Sequence, residues 1–209
     1  MIGAKLEDLL SRARGALGPA IELDFGLDSG PLWELAMLLT ARNGFFAFNA
    51  GVQIYHAGDQ GLGPELVTWN EDELWKDSYH GLADDYFCFG QDIFGVQFAI
   101  HDNAEVVTFD PETARITRVG DTLESWAEWL LADPDVRGAA TFARAYQDAN
   151  GELNPEQRLL PVRFFVGGGN YDFSNFTVRE AAEAMRVRGP IAQQVHSLPE
   201  GTKVRFSTS

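Results

Sequence analysis

The feature that most constrains the fold is a run of short apolar segments between residues 86 and 119, separated by turn residues. Apolar side chains occupy alternate positions from 94 to 100, which is the pattern of a half-buried strand. Segments at 106–109 and 115–119 follow, joined by Asp-Pro-Glu-Thr at 110–113, whose residue types favour a turn. Connections this short cannot form the crossovers that parallel strands need. The stretch therefore predicts an antiparallel meander, with a first strand at 86–89.

Apolar residues three and four positions apart predict three helices that pack on this sheet. Their expected bounds are 4–17, 31–43 and 121–131, with Pro31 in the first turn of the second helix and Asp121 or Thr122 capping the third. Asn-Ala-Gly at 49–51 predicts a hairpin between strands at 45–48 and 52–55, and residues 66–69 are a further strand candidate. The expected fold class is α+β, a mostly antiparallel sheet with helices packed on it.

Charge is distributed unevenly along the chain. The net charge is -15, and residues 59–135 contain eighteen Asp and Glu but three Lys and Arg, whereas 136–209 contain seven acids and nine bases. Because phosphate groups are bound by Lys and Arg, this acidity disfavours nucleic acid and anionic membranes as partners. The change of sign predicts a domain at 1–135 and a small α+β extension at 136–209, which folds alone or packs on the first domain.

Within the extension, the same patterns predict two helices and three strands. The helices are expected at 138–149 and 179–196, and the strands at 160–166, 173–178 and 203–207. Gly167-Gly168-Gly169 lacks the Lys-Ser/Thr that follows a phosphate loop, so we expect a hairpin turn there.

Several features bear on where the chain acts. No apolar run is long enough to span a bilayer, and the first residues, MIGAKLED, lack the apolar core of a secretory signal. The single cysteine, Cys88, excludes an internal disulfide and a cysteine-rich zinc site, and its aromatic neighbours predict a small core residue. We therefore expect a cytoplasmic protein.

Four stretches, in this order, resemble the SUKH superfamily over roughly residues 20–135. They are a Pro-led helix ending in Asn-Gly (31–44), then LADDYFCFGQDIFGVQFAI (82–100), VVTFDPETARI (106–116) and DTLESWAEWLL (121–131). The superfamily includes the yeast cell-wall assembly regulators of the Smi/Knr type and many bacterial immunity proteins, and the tail from residue 175 looks like an extension of some bacterial members. The resemblance implies the α+β fold, no catalytic residue, no cofactor and, for many members, neutralisation of toxins deployed between competing bacteria.

The candidate binding residues are aspartates at the ends of the expected strands. Asp84, Asp85, Asp92 and Asp102 are expected on one rim of the sheet, where loops gather, and Trp75 is expected at the margin of a short helix, where it would anchor an interface. Opposite charges accelerate association. We therefore expect an acidic surface that binds a basic protein partner, such as a toxin nuclease domain, without a metal ion.

The same residues are open to other interpretations. Charged side chains often serve only to keep a surface hydrated, and a regulatory scaffold module like the yeast relatives would also use a binding surface. His56, His80 and His101 each lie near a carboxylate in sequence, which leaves open a metal site or a hydrolase. No two histidines, however, have the i, i+4 spacing of a helical zinc motif.

Overall fold

The computed structural model describes residues 2–199 and 202, and its fold is α+β, as predicted. A six-stranded antiparallel sheet forms its centre, and each strand pairs with its neighbour in sequence. This confirms the predicted meander and extends it back to the hairpin at its start. The strands are β1 (Phe45–Ala47), β2 (Val52–Ile54), β3 (Tyr86–Asp92), β4 (Gln97–His101), β5 (Glu105–Phe109) and β6 (Ile116–Gly120). A separate two-stranded sheet pairs β7 (Gln157–Pro161) with β8 (Phe176–Glu180).

Seven α-helices lie in the described part of the chain, together with short 3-10 turns. The helices are α1 (Ala4–Ser11), α2 (Pro31–Ala41), α3 (Leu66–Trp69), α4 (Leu123–Ala132), α5 (Pro134–Arg137), α6 (Ala140–Asn150) and α7 (Ala181–Val195). Gln97 contacts Met185 of α7, whereas the adjacent Phe98 packs on Trp126 of α4. Because neighbouring residues of a strand point to opposite faces, α4 and α7 cover opposite faces of the sheet.

The main apolar core includes both of these layers. Ala181, Met185 and Ala192 of α7 belong to the same buried cluster as Trp126 of α4. A smaller cluster lies between the β3–β4 turn and the segment after residue 138, where Ile93 packs with residues of α6, β7 and β8. The C-terminal segment therefore contributes directly to the interior that the central sheet builds.

Three predicted elements differ from the structure in the first 100 residues. The helix expected at 4–17 ends at Ser11, because the backbone of Arg14 pairs with that of Phe46 at N–O distances of 2.7 and 3.2 Å. The strand expected at 66–69 is the helix α3. The Glu65 side chain accepts a hydrogen bond from the Thr68 backbone N–H at 2.8 Å and so caps it. The strand expected from residue 94 begins at Gln97, after a turn described below.

In the C-terminal segment, the predicted strands at 160–166 and 173–178 are shifted to β7 and β8. The predicted helices at 138–149 and 179–196 are confirmed as α6 and α7, and the glycine run at 167–169 lies in the connection between β7 and β8. The strand expected at 203–207 lies outside the described residues.

A buried ladder of glutamines crosses the face of the sheet beneath α7. Gln53, Gln91 and Gln97 occupy directly paired positions on β2, β3 and β4. The Gln91 side-chain amide donates to Gln53 Oε1 at 3.2 Å, and that of Gln97 donates to Gln91 Oε1 at 3.4 Å. The guanidinium of Arg158 on β7 donates to the same Gln53 oxygen. This glutamine ladder joins the C-terminal segment to the sheet through buried polar contacts.

Candidate functional site

Antiparallel pairing divides the predicted aspartates between the two ends of the sheet. Asp84 and Asp85 precede β3 and Asp102 follows β4, and because Tyr86 pairs with His101 these three lie at the same end. Asp92 is the last residue of β3, a strand of 7 residues. At about 3.3 Å per residue, it lies roughly 20 Å away. The expectation that all four aspartates share one rim is therefore wrong for Asp92.

Three of the predicted aspartates lie on one exposed acidic surface. Asp84, Asp85 and Asp102 surround a shallow depression of about 640 Å³ together with Glu71 and Asp72, and all five are exposed. We call these five residues the acidic face.

The acidic face has little compensating positive charge. Among the described residues, only Asp102 of this face has an ionic neighbour, His101, whose Nε2 is 3.5 Å from the Asp102 Oδ2. Lys76 also lines the depression, but its side chain is buried and its Nζ donates to the backbone oxygen of Tyr86 at 2.9 Å. The carboxylates of this face are thus held together without a salt bridge to Lys or Arg in the described chain.

Trp75, in contrast, is a core residue. It exposes 1% of its surface, and its Nε1 donates to the backbone oxygen of Trp69 at 2.7 Å. Its ring packs against those of Trp69, Tyr79 and Phe109. Trp75 lies between two 3-10 turns, Asp72–Leu74 and Lys76–Tyr79. Its side chain points into the core and does not lie at an exposed helix margin. The expected role of Trp75 as an interface anchor is wrong, because a buried ring cannot contact a partner.

The opposite end of the sheet contains a site that the sequence reasoning missed. A cavity of about 680 Å³ opens where β3 ends, bounded by the β3–β4 turn, the turn after β5, the α5–α6 segment, the β7–β8 connection and α7. Six aromatic side chains line this aromatic cavity: Phe94, Phe98, Trp129, Phe142, Phe165 and Tyr171. They come from segments far apart in sequence, so no local motif marks them.

Four carboxylates line the same cavity, and three of them, Asp92, Asp110 and Glu112, each use one oxygen to hold a backbone turn. Asp92 Oδ1 accepts from the N–H groups of Phe94 and Val96, both at 2.9 Å. Asp110 Oδ1 accepts from those of Glu112 and Thr113, also at 2.9 Å, and Glu112 Oε2 accepts from that of Val166 at 3.0 Å. The second oxygen of Glu112, Oε1, is buried and accepts no hydrogen bond from the described residues. The cavity thus presents a fixed, unused acceptor.

Burial changes the acid–base properties of these groups. Desolvation raises the pKa of Asp92 to about 6, against the opposing effect of its two backbone hydrogen bonds, and it also raises the pKa of Glu112. The nearby guanidinium of Arg188 is buried, and desolvation lowers its pKa. Its Nη2 donates to the backbone oxygens of Phe94 at 2.8 Å and Leu159 at 3.1 Å. Arg188 therefore anchors α7 to the cavity wall through carbonyl groups, without a direct ion pair to the carboxylates.

The remaining candidates from the sequence lie elsewhere. Cys88 is buried, which confirms the predicted core residue, and burial raises the pKa of its thiol to about 12. His56 is buried as well, whereas His80 is exposed. Within residues 2–199 and 202, no group of three or more His, Cys, Asp and Glu side chains is arranged to hold a metal ion. None of the helices in this part of the chain is long and apolar enough to cross a membrane.

Comparison with known proteins shows a likeness of fold alone. No family model and no curated protein matches the sequence. Among solved structures, the crystal structure of Atu4351 from Agrobacterium tumefaciens is similar, with a TM-score of 0.55 and 14% sequence identity. The match covers 91% of this chain and 81% of that chain. At this identity the likeness describes how the chain folds and leaves its activity to be argued from its own residues.

Proposed function

We propose that the chain is a non-enzymatic binding module of the immunity type, which binds and neutralises a bacterial toxin domain through the acidic face. The observation that carries the proposal is the convergence of five exposed carboxylates from three segments of the chain, none of which forms a salt bridge with a Lys or Arg among the described residues. Like charges held close together repel one another and lower stability. A positively charged partner relieves that repulsion when it binds.

The chemistry of this surface suits a basic toxin domain, and a nuclease in particular. An active site that binds phosphate groups is itself rich in Lys and Arg. Carboxylates placed over it would imitate the charge of the nucleic acid and exclude the substrate sterically, which needs neither a cofactor nor a catalytic residue. Complementary charge also accelerates the encounter of the two proteins. The resemblance to the SUKH superfamily supports the same role, and a regulatory scaffold would differ in having a partner from its own cell.

Co-expression with a toxin domain encoded beside the gene tests the proposal through bacterial growth. We expect the wild-type chain to restore growth and the variant Asp84→Asn/Asp85→Asn/Asp102→Asn to lose this protection. A control variant, Asp59→Asn/Asp148→Asn/Glu152→Gln, makes the same change in net charge at exposed positions outside the acidic face. Protection that survives in the first variant, or is lost equally in both, would contradict the assignment of the surface.

Salt dependence of the purified complex provides a second measurement. The Debye length falls from about 8 Å at 0.15 M salt to about 3 Å at 1 M. We therefore expect the affinity of the wild-type chain to fall steeply over this range, and that of the acidic-face variant to change less. An affinity that is independent of salt would exclude the electrostatic mechanism.

A further inference from the structure

We propose that the aromatic cavity binds a small organic cation, a primary amine or guanidinium attached to an apolar or aromatic body. The inference is independent of the acidic face, because the two sites lie at opposite ends of β3 and share no lining residue.

The size and the walls of the cavity suit a small molecule. Its volume of about 680 Å³ lies within the roughly 300–1,000 Å³ typical of ligand pockets. The walls are rings packed on rings: Phe94 and Phe142 have centroids 4.9 Å apart, and those of Phe165 and Tyr171 are 4.6 Å apart. Tyr171 is 61% exposed. The apolar body of a ligand would therefore meet aromatic surface on several sides.

The carboxylates of the cavity select for a donor of hydrogen bonds. Asp92, Asp110 and Glu112 are each fixed through one oxygen. The other oxygen of Glu112, Oε1, is buried and has no hydrogen-bond partner among the described residues. A carboxylate oxygen accepts hydrogen bonds and donates none when ionised. A ligand that satisfies this atom must bring an N–H or O–H group.

The balance of charge favours a cation over a neutral donor. The lining contains four carboxylates, the fourth being Asp135, but two guanidiniums, Arg137 and Arg188. Arg188 directs Nη2 at backbone carbonyls, and its Nε and Nη1 have no hydrogen-bond partner among the described residues. No ion pair of the described residues joins either guanidinium to a carboxylate of the cavity, so the lining keeps two more negative than positive groups. Unbalanced negative charge in a poorly solvated space is costly, and a bound ammonium or guanidinium reduces that cost. A neutral alcohol or sugar does not.

One wall of the cavity already holds a cation against an aromatic face. The guanidinium carbon of Arg137 lies 5.0 Å from the ring centroid of Trp129, within the range of a cation–π contact. Both residues line the cavity. Aromatic faces and free carboxylates are together the groups that recognise organic cations.

Calorimetric titration of the full chain with three phenylalkyl probes of similar size tests the charge requirement. The probes are 2-phenylethylammonium, neutral 2-phenylethanol and anionic 3-phenylpropionate. We expect saturable binding of the ammonium compound, and affinities at least about tenfold weaker for the other two, since hydrogen bonds to charged groups are the stronger ones. Equal binding of the alcohol, or no saturable binding of the ammonium compound, would overturn the proposal.

Paired variants locate the site. Asp92→Asn/Asp110→Asn keeps an oxygen to hold each turn and removes the charge, so we expect the affinity for 2-phenylethylammonium to fall about tenfold or more. The control Asp84→Asn/Asp85→Asn makes the same chemical change on the acidic face and should leave this affinity unchanged. Equal losses in both variants would mean that the cation binds by general electrostatics rather than in the cavity. Tryptophan fluorescence of each variant verifies that it is folded.

Discussion

The carboxylate of Asp92 is desolvated in the folded protein, and its ionisation at neutral pH lowers the free energy of unfolding. Its pKa is raised from 3.8 to about 6, mainly by desolvation. A shift of about two pKa units corresponds to about 3 kcal/mol, at about 1.4 kcal/mol per unit. Substitution of Asp92 by Asn removes the charge and keeps an oxygen in place to accept from the N–H groups of Phe94 and Val96. We therefore expect Asp92→Asn to increase the free energy of unfolding at neutral and alkaline pH.

The stabilisation that we expect for Asp92→Asn decreases as the pH falls. Because the folded protein binds the Asp92 proton more tightly than the unfolded chain does, the cost of ionisation is absent below the unfolded pKa and complete above the folded pKa. The variant should exceed the wild type by about 3 kcal/mol at pH 8, by roughly half as much at pH 5, and by little at pH 4.

Urea unfolding followed by the fluorescence of the five tryptophans provides the assay. The difference between variant and wild type at each pH cancels the contributions of other carboxyl groups, such as Glu34 and Glu112, whose pKa values burial also raises. Asp84→Asn is the matched control at an exposed position, where we expect less than about 0.5 kcal/mol. A variant less stable than the wild type at pH 8, or a difference that does not shrink on acidification, would refute the reasoning.

Two further substitutions test how the layers are joined. Gly189→Ala in α7 would normally stabilise a helix by about 1 kcal/mol, but its Cβ would lie 2.3 Å from the backbone oxygen of Ser78, so we expect a loss of about 2 kcal/mol or more in urea unfolding. An increase in stability would show that α7 can move away from the Ser78 backbone at little cost. Glu124→Ala removes the carboxylate that accepts from the N–H groups of Lys5 and Leu6 at 2.7 and 3.2 Å, and we expect the melting temperature to fall as about 1 kcal/mol of stability is lost. Glu124→Gln keeps an acceptor and should lose less, and an equal loss in both would assign the effect to charge alone.

Local signals predicted much of the fold because the elements concerned depend on neighbouring residues. The meander follows from strands joined by short turns, and the start of α4 follows from Thr122, whose side chain accepts from the Ser125 backbone N–H at 3.0 Å. The strand prediction for residues 66–69 is wrong, because Leu66 and Trp69 are both buried on one side of a helix that Glu65 caps. This tertiary context overrides the strand preference of the residues between them.

The sites were harder to predict than the elements, because their residues meet only through tertiary packing. Asp92 ends the strand that Asp85 precedes, so the full length of β3 separates the two residues and places them at opposite ends of the sheet. The aromatic cavity required contacts among turns separated by long stretches of chain, such as those that carry Asp110 and Tyr171. Sequence periodicity describes one element at a time and does not contain that information.

The glutamine ladder has a consequence for how the sequence can change in evolution. An apolar residue in place of Gln91 alone would leave the Gln97 amide without that acceptor, and the loss of Gln53 would take an acceptor from the buried guanidinium of Arg158. Each single step therefore passes through a less stable protein, whereas a joint exchange of Gln53, Gln91 and Arg158 for apolar residues removes these buried pairings together. Gln97 must stay polar, because its Oε1 accepts from the Tyr55 hydroxyl at 2.7 Å and from Trp69 Nε1 at 2.8 Å. We expect positions 53, 91 and 158 to co-vary among homologues, as one unit that is either polar throughout or apolar throughout. Such co-variation would indicate that the C-terminal segment and the central sheet have evolved together.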